Sequence, residues 1–127
     1  MNALANILII TNELSYRNNQ ITGTQFTVQP QFRREIGVTD NEHFFTRLRV
    51  EIKNTKENPF PVDVVADITG VFETKNFAPD QLEEFQKHQA ISILLPYIRN
   101  MISSVTANAL VQPIVMPILD VYDIFPD

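Results

Sequence analysis

The sequence TRLRVEIK, which spans residues 46–53, alternates strictly between apolar and charged positions after its first residue. Leu48, Val50 and Ile52 share one side of an extended chain, and the charged residues between them share the other. This period of two is typical of a strand with one face in a core and the other in water. The segment therefore predicts a sheet that is covered on one side only.

Three further strands are predicted on either side of this segment. Val62–Glu73 alternates in the same way. The stretch 26–36 alternates as well, but Pro30 lies inside it, which indicates an edge strand or a bulged strand. A fourth strand is expected within Ile7–Tyr16, so that all strands fall within residues 7–74. The connectors are short and turn-rich, which fits an antiparallel meander.

The second half of the chain changes to helical spacing. Asp80 and Glu83 form a capping-box pattern behind Pro79, which predicts a helix from about residue 80 to about 108. Pro96 is expected to kink this helix or to start a fresh segment. One apolar stripe is expected to face the sheet. The stripe consists of Ile91, Leu94, Leu95, Ile98, Met101, Ile102 and Val105.

The last 17 residues, 111–127, hold three prolines and many apolar residues, which predicts an extended arm. The stretch 111–119 is too apolar to lie free in water, so it is expected to pack on its own domain or on a neighbouring chain. Residues 1–127 thus predict a single α+β domain. It consists of a four-stranded antiparallel sheet covered by one long Pro-kinked helix, with a C-terminal extended arm.

Composition excludes several classes of function. The chain has 127 residues, no cysteine and a net charge of −5, which argues against a nucleic-acid binder and excludes disulfide scaffolds and thiol catalysis. The acidic excess lies in the second half, with three Lys or Arg against nine Asp or Glu after residue 60. No stretch resembles a targeting signal or a membrane span, so we expect a cytoplasmic protein without membrane insertion.

Nothing in the sequence predicts catalysis, and we expect a protein that is not an enzyme. His43 is placed in a solvated turn and His88 on an exposed helix face, and neither has the partners of a metal site. There is no G-x-S-x-G elbow and no glycine loop that could hold phosphate. The carboxylate pair Asp63 and Asp67 is interpreted as part of a charged outer strand face.

The predicted helix resembles that of a known family. Residues 91–105, ISILLPYIRNMISSV, contain an apolar run followed by Pro-Tyr-x-Arg, and they are similar to the long helix of the SecB export chaperones. Four other stretches resemble the first strand, the later strands and the proline-punctuated crossover of that family. They are residues 10–16, 48–52, 68–72 and 113–125.

The resemblance implies an ATP-independent chaperone that binds unfolded or precursor polypeptides in apolar grooves, without a cofactor. It also implies a homo-oligomer, a dimer or a tetramer that assembles by helix packing, and docking on the translocase motor. The family continues into a second helix and an acidic tail, so this chain would be a short relative. Its outer sheet, which is acidic in the family, is interrupted here by Arg47, Arg49 and Lys53. A non-enzymatic module of the same fold that binds one dedicated partner therefore stays open as the alternative.

Six residues are candidates for lining a peptide-binding groove. They have aromatic or flexible side chains near the helix and the arm, and such side chains suit promiscuous binding. Ordinary core packing is the alternative for each of them. The candidates are Phe72, Phe77, Tyr97, Met101, Met116 and Tyr122.

Overall fold

The computed structural model describes residues 7–23, 25–109 and 112–127, and Val111, at the start of the predicted arm, lies outside them. The strands are β1 (Leu8–Asn18), β2 (Gln31–Val38), β3 (His43–Ile52) and β4 (Val62–Glu73). The helices are α1 (Pro79–Glu84), α2 (Ala90–Asn108) and α3 (Val121–Ile124), with a 3-10 turn at Thr74–Asn76 and a π turn at Phe85–Gln89. The predicted α+β class is confirmed, and one short helix, α3, interrupts the otherwise extended arm.

The four strands form one antiparallel sheet in the order β1-β4-β3-β2. Strands β2, β3 and β4 follow one another as the predicted meander, but β1 pairs with β4 and lies at the opposite edge from β2. Strand β2 is shorter than predicted, because it begins at Gln31, directly after Pro30, which has no N–H for the ladder. The connection 19–30 therefore runs from one edge strand to the other, outside the sheet.

The core lies between one face of the sheet and α2. Every second residue of β3 is buried on this face, as the period of two predicts. The centre of the predicted helix stripe is also buried, each residue being 7 % exposed or less: Ile91, Leu94, Leu95, Ile98 and Ile102. Burial of a large aliphatic side chain stabilises a fold by about 1.5–3 kcal/mol, so these five contribute on the order of 7–15 kcal/mol before the entropy cost.

The helical region begins without the predicted capping box. Pro79 occupies the first helical position behind Ala78, and no side chain caps the helix. Asp80 lies inside the first turn, where its charge still interacts favourably with the helix dipole. Helix α2 continues through Pro96 to Asn108, so Pro96 does not start a fresh segment.

The irregular point of the helical region is the π turn Phe85–Gln89. A π turn breaks the regular pattern of backbone hydrogen bonds, so its carbonyl groups need other partners. The Thr46 hydroxyl donates to the carbonyl of Gln86 at 3.1 Å, and Arg34 donates to the carbonyl of Lys87 at 2.8 Å. Side chains from β2 and β3 therefore hold this turn against the sheet.

The outer face of the sheet carries a buried charge, which the sequence did not predict. Asp67 is fully buried and accepts hydrogen bonds from Arg47 (2.7 and 2.8 Å), Asn12 (3.0 Å) and Arg49 (3.0 Å). Burial raises the pKa of the Asp67 carboxyl, but these hydrogen bonds outweigh burial, so the pKa lies below its usual range. The carboxylate is therefore ionised and ties β1, β3 and β4 together.

Candidate peptide-binding groove

A groove of about 720 Å³ lies at the end of the sheet where β1 ends and β4 begins. This volume falls within the ~300–1,000 Å³ of typical ligand sites. Three segments line it: the connection between β1 and β2, the residues that lead into β4, and the start of the arm. Among the described residues, none that lines the groove carries a charge. The large apolar members of the lining are Ile21, Phe26, Val28, Phe60, Val62, Ile114 and Val115.

Asn19 anchors the connection at one end of the groove. Its backbone N–H donates to the carbonyl of Pro61 at 2.9 Å. Its side-chain amide donates to the carbonyl of Phe60 at 3.2 Å and to the carboxylate of Asp63 at 2.9 Å. Because all three acceptors lie at the entry to β4, these bonds fix the connection against that strand.

Phe26 and Val28 form the wall that the connection contributes. This stretch is extended, and every second side chain turns inward, so both residues are half-buried while Thr27 between them is exposed. The ring of Phe26 packs edge-to-face on Phe60, with 6.0 Å between the centroids. Asn58 donates to the carbonyl of Thr27 at 3.0 Å, which supports the wall from behind.

The arm forms the opposite wall and is extended, as predicted. Its side chains alternate, because Ile114 and Met116 are buried whereas Val115 between them is 75 % exposed. The buried hydroxyl of Thr106 on α2 accepts from the N–H of Ile114 at 2.9 Å and donates to the carbonyl of Ile102 at 2.8 Å. The arm therefore packs on its own domain and presents alternate residues to the outside.

The far end of the arm is held by His88, which the sequence predicts to be exposed. This prediction was wrong, because the end of the arm packs over the side chain and leaves it 3 % exposed. Its Nε2 lies 2.8 Å from the carbonyl oxygen of Phe125, and its Nδ1 lies 3.2 Å from the carboxylate of Glu84. Its ring also stacks on Tyr122, with 4.3 Å between the centroids.

Arg34 completes this group of contacts from β2. Its guanidinium lies 4.6 Å from the centroid of the Phe125 ring and pairs with Asp127 at 2.8 Å. Tyr122 donates its hydroxyl to Glu84, which raises the pKa of Tyr122 and holds the pKa of Glu84 below its usual range. We call this set the His88 cluster. It consists of Arg34, Glu84, His88, Tyr122, Phe125 and Asp127.

Two of the six predicted groove residues lie in an aromatic cluster at the other end of the sheet. Phe72 is fully buried and stacks on Phe44, with 5.3 Å between the centroids. Phe77 is half-buried and packs against Phe44 and Phe85. Neither residue lines the 720 Å³ groove.

The other four predicted residues are also apart from the groove lining. Met116 is buried in the main core, and Met101 packs against the same core from α2. Tyr97 and Tyr122 are exposed, the first on α2 and the second in the His88 cluster. The structure therefore does not bring the six residues together, and their role in binding stays a prediction.

Sequence reasoning missed the groove because it assigned the connection to a strand. Phe26 and Val28 belong to the alternating stretch 26–36 that was assigned to a strand, and no sequence pattern singled out Phe60. Pro30 is the residue that could have indicated this. Proline cannot donate a hydrogen bond to a neighbouring strand, so the alternating residues before it need not belong to the sheet. No local pattern predicts which segment faces Phe26 across the groove, because this depends on how the connection crosses from β1 to β2.

His43 is predicted in a solvated turn, but it is the half-buried first residue of β3, because the pairing with β4 extends as far as Glu73 opposite it. Its Nδ1 is 2.9 Å from the carboxylate of Asp40, and this hydrogen bond raises the pKa of His43 and lowers that of Asp40. Within the described residues, no three His, Asp or Glu side chains converge as metal ligands would. The helices of the described ranges also lack the combination of length and apolar content that crossing a membrane requires.

Comparison with known proteins assigns the family. The model of the family described as "Preprotein translocase subunit SecB" matches residues 10–127. The chain belongs to the SecB family. The match runs from β1 to the end of the sequence, so the similarity to the family covers nearly the whole of this SecB family member and not only its long helix.

Two individual proteins are similar to this SecB family member. The uncharacterized protein MJ0357 of Methanocaldococcus jannaschii is 32% identical over 90 residues, which cover 68% of this chain and 58% of that protein. The match thus spans little more than half the length of that relative. The Mycobacterium tuberculosis Rv1957 SecB-like chaperone, solved with a ChAD peptide from the Rv1956 HigA1 antitoxin, has a TM-score of 0.72 at 13% identity. The alignment covers 88% of this chain and 87% of that one, which shows a shared fold.

Proposed function

We propose that this SecB family member is an ATP-independent, non-enzymatic chaperone that holds unfolded polypeptide segments in the groove. The observation that carries the proposal is an uncharged groove between two extended segments, with large apolar side chains in both of its walls. Apolar side chains of an unfolded chain are stabilised when they leave water. A lining without charges discriminates little between apolar sequences, because it presents no buried charge that would need a specific partner.

The two walls suit an extended client. Phe26 and Val28 project from one wall at every second position, and Ile114 lies in the opposite wall beside the exposed Val115. An extended client also places alternate side chains on the same side, so its apolar residues match this spacing. The exposed aromatic residues Tyr97 and Tyr122 remain candidates for contacts with client segments outside the groove.

One dedicated partner is the second candidate function. The fold relative Rv1957 was solved with a peptide from an antitoxin, so a SecB-like fold can hold a peptide from one specific protein. The two functions differ in promiscuity. A general chaperone suppresses the aggregation of several unrelated denatured proteins, whereas a dedicated module suppresses that of none. A pull-down from a cytoplasmic lysate then distinguishes precursors, the translocase motor and a single folded protein.

The groove is tested with two substitutions on the same arm. Val115→Glu places a charge in the groove wall, and Ile118→Glu is the matched control, because Ile118 is 86 % exposed and does not line the groove. Both positions are exposed, so both variants are expected to fold. Val115→Glu should weaken the binding of an uncharged apolar peptide by at least tenfold, measured by fluorescence anisotropy. Ile118→Glu should bind like the wild type.

Equal affinities for the two variants would contradict the placement of the site in this groove. If neither variant nor the wild type binds any peptide or suppresses the aggregation of any denatured protein, the chaperone function itself is refuted. Thermal unfolding of both variants provides the folding control. A difference in binding without a difference in stability supports the proposal.

We also propose that the protein acts as a homo-oligomer in the cytoplasm. Ser92, Asn100 and Ser104 form an exposed stripe of small polar residues on α2, which permits close helix approach. Strand β1 is a long edge strand that exposes Leu8 and Ile10, and such an edge favours pairing with another chain. Both surfaces are available for the dimer or tetramer that the family resemblance implies.

A further inference from the structure

The His88 cluster has a hydrogen-bond arrangement that depends on one proton. Nε2 of His88 lies 2.8 Å from the carbonyl oxygen of Phe125, which only accepts, so this nitrogen must carry a hydrogen. Nδ1 lies 3.2 Å from the carboxylate of Glu84, which also only accepts when it is ionised. Both contacts are hydrogen bonds only when the imidazole is doubly protonated.

Glu84 is ionised in this arrangement. Tyr122 donates its hydroxyl to the second oxygen of the same carboxylate. This hydrogen bond, and the one from His88, hold the pKa of Glu84 below its usual range. A neutral His88 with its hydrogen on Nε2 would turn the lone pair of Nδ1 toward that negative charge. Loss of one proton therefore replaces an attractive contact by a repulsive one.

Three other charged groups on the elements around His88 are engaged elsewhere. On the same helical region, Lys87 pairs with Glu83 at 2.7 Å. From β2, Arg34 is bound to the carbonyl of Lys87 and to Asp127. From the arm, Asp120 accepts a backbone N–H at the start of α3. The contact with Glu84 therefore depends on the protonation of His88.

The arm connects the His88 cluster to the groove. It is held at Ile114 by Thr106 and at Phe125 by His88, and its start, which includes Val115, forms one wall of the groove. We infer that His88 is a proton-dependent latch for the arm. Protonated, it holds the arm in place as a groove wall, and when it loses the proton the arm loosens and the groove binds polypeptide less tightly. The effect on binding rests on the proposed function of the groove.

The chain supplies its own control, because it has only two histidines, His43 and His88. The affinity of an uncharged apolar peptide with blocked ends is measured between pH 5.5 and 8.5, the range in which histidine ordinarily titrates. The wild type and His43→Gln should both bind at least threefold more weakly at the upper end of this range. His88→Gln should show a flat profile.

Glu84→Gln serves as the second variant, since the side chain of Glu84 is partly exposed and its loss should not prevent folding. A glutamine amide can donate to a neutral Nδ1, so the pH dependence should disappear here as well. Hydrogen exchange of the arm amides, corrected for the intrinsic effect of pH, is a readout without peptide. Protection should fall with rising pH in the wild type and stay constant in Glu84→Gln.

A pH profile of His88→Gln that matches the wild type, or a flat profile in His43→Gln, would overturn the latch. Arm protection that does not change with pH in the wild type would overturn it as well. If neither the wild type nor any variant binds the peptide at any pH, the proposed function is refuted. The hydrogen exchange of the arm amides then tests the latch on its own.

Discussion

Replacing Met116 by alanine should destabilise the protein far more than the same change at its neighbour Val115. The two residues are adjacent on the extended arm, but Met116 is 2 % exposed and Val115 is 75 % exposed. Neither substitution removes the hydrogen bonds of this part of the arm, because those bonds use the backbone of Ile114 and Met116. The comparison therefore isolates side-chain burial on the arm.

The size of the effect follows from burial. Truncation of a buried methionine to alanine costs about 2–5 kcal/mol, depending on how far the surroundings collapse into the cavity. The arm is attached by few hydrogen bonds and can move inward, so we expect the lower part of this range, about 2–3 kcal/mol. An exposed substitution such as Val115→Ala should stay within about 0.5 kcal/mol.

Thermal unfolding measures both variants. A change of 1 kcal/mol shifts the Tm of a domain of this size by roughly 3–5 °C, so Met116→Ala should lower the Tm by about 6–15 °C and Val115→Ala by less than about 3 °C. Both are measured at one protein concentration, because association also shifts the Tm. Equal shifts for the two variants would refute the conclusion that the arm belongs to the core.

Three further predictions concern the ion-pair network, the arm anchor and assembly. Asp67→Asn should cost about 2–3 kcal/mol in denaturant unfolding, less than a fully buried ion pair because Arg47 is partly exposed. Folding lowers the pKa of Asp67, so the Asp67 carboxylate stabilises the fold at every pH above about 3.9, its pKa in the unfolded chain. This stabilisation is lost as the pH falls through the lower pKa of the folded state, and the free energy of unfolding measured at acid pH tests this. Thr106→Val should lower the free energy of unfolding by about 1–3 kcal/mol and speed hydrogen exchange at the Ile114 amide, because this buried N–H loses its acceptor. Unchanged exchange at Ile114 would contradict the role of Thr106 as an anchor of the arm. Light scattering at micromolar concentration should give a dimer or tetramer mass, and a monomer mass would refute the assembly proposal.

Local periodicity predicted the elements that form the fold. The strand predicted at Val62–Glu73 has the same bounds as β4. The helix predicted from about residue 80 to 108 corresponds to the helical region that begins at Pro79 and ends at Asn108. These predictions succeeded because the spacing of apolar residues along the chain decides which face of a strand or helix can be buried.

Predictions about individual polar residues failed where distant contacts decide. The sequence context of His88 is polar and helical, but the residue is buried by Phe125, 37 positions further along the chain. Asp67 stands at an outward position of β4, but it is buried beneath Arg47 and Arg49, which extend from β3. Neither partner is recognisable from the residues next to the carboxylate or the imidazole.

The sequence by itself determined a one-sided antiparallel sheet, a long covering helix with its buried stripe, an apolar arm and membership of the SecB family. Only the tertiary structure decided that β1 lies at the edge opposite β2, so that residues 19–30 cross the end of the sheet. That crossing brings Phe26 to the groove that Val115 lines from the other side. Periodicity specifies which face of a segment is buried, but it does not specify the neighbouring segment, because that depends on contacts between residues far apart in the chain.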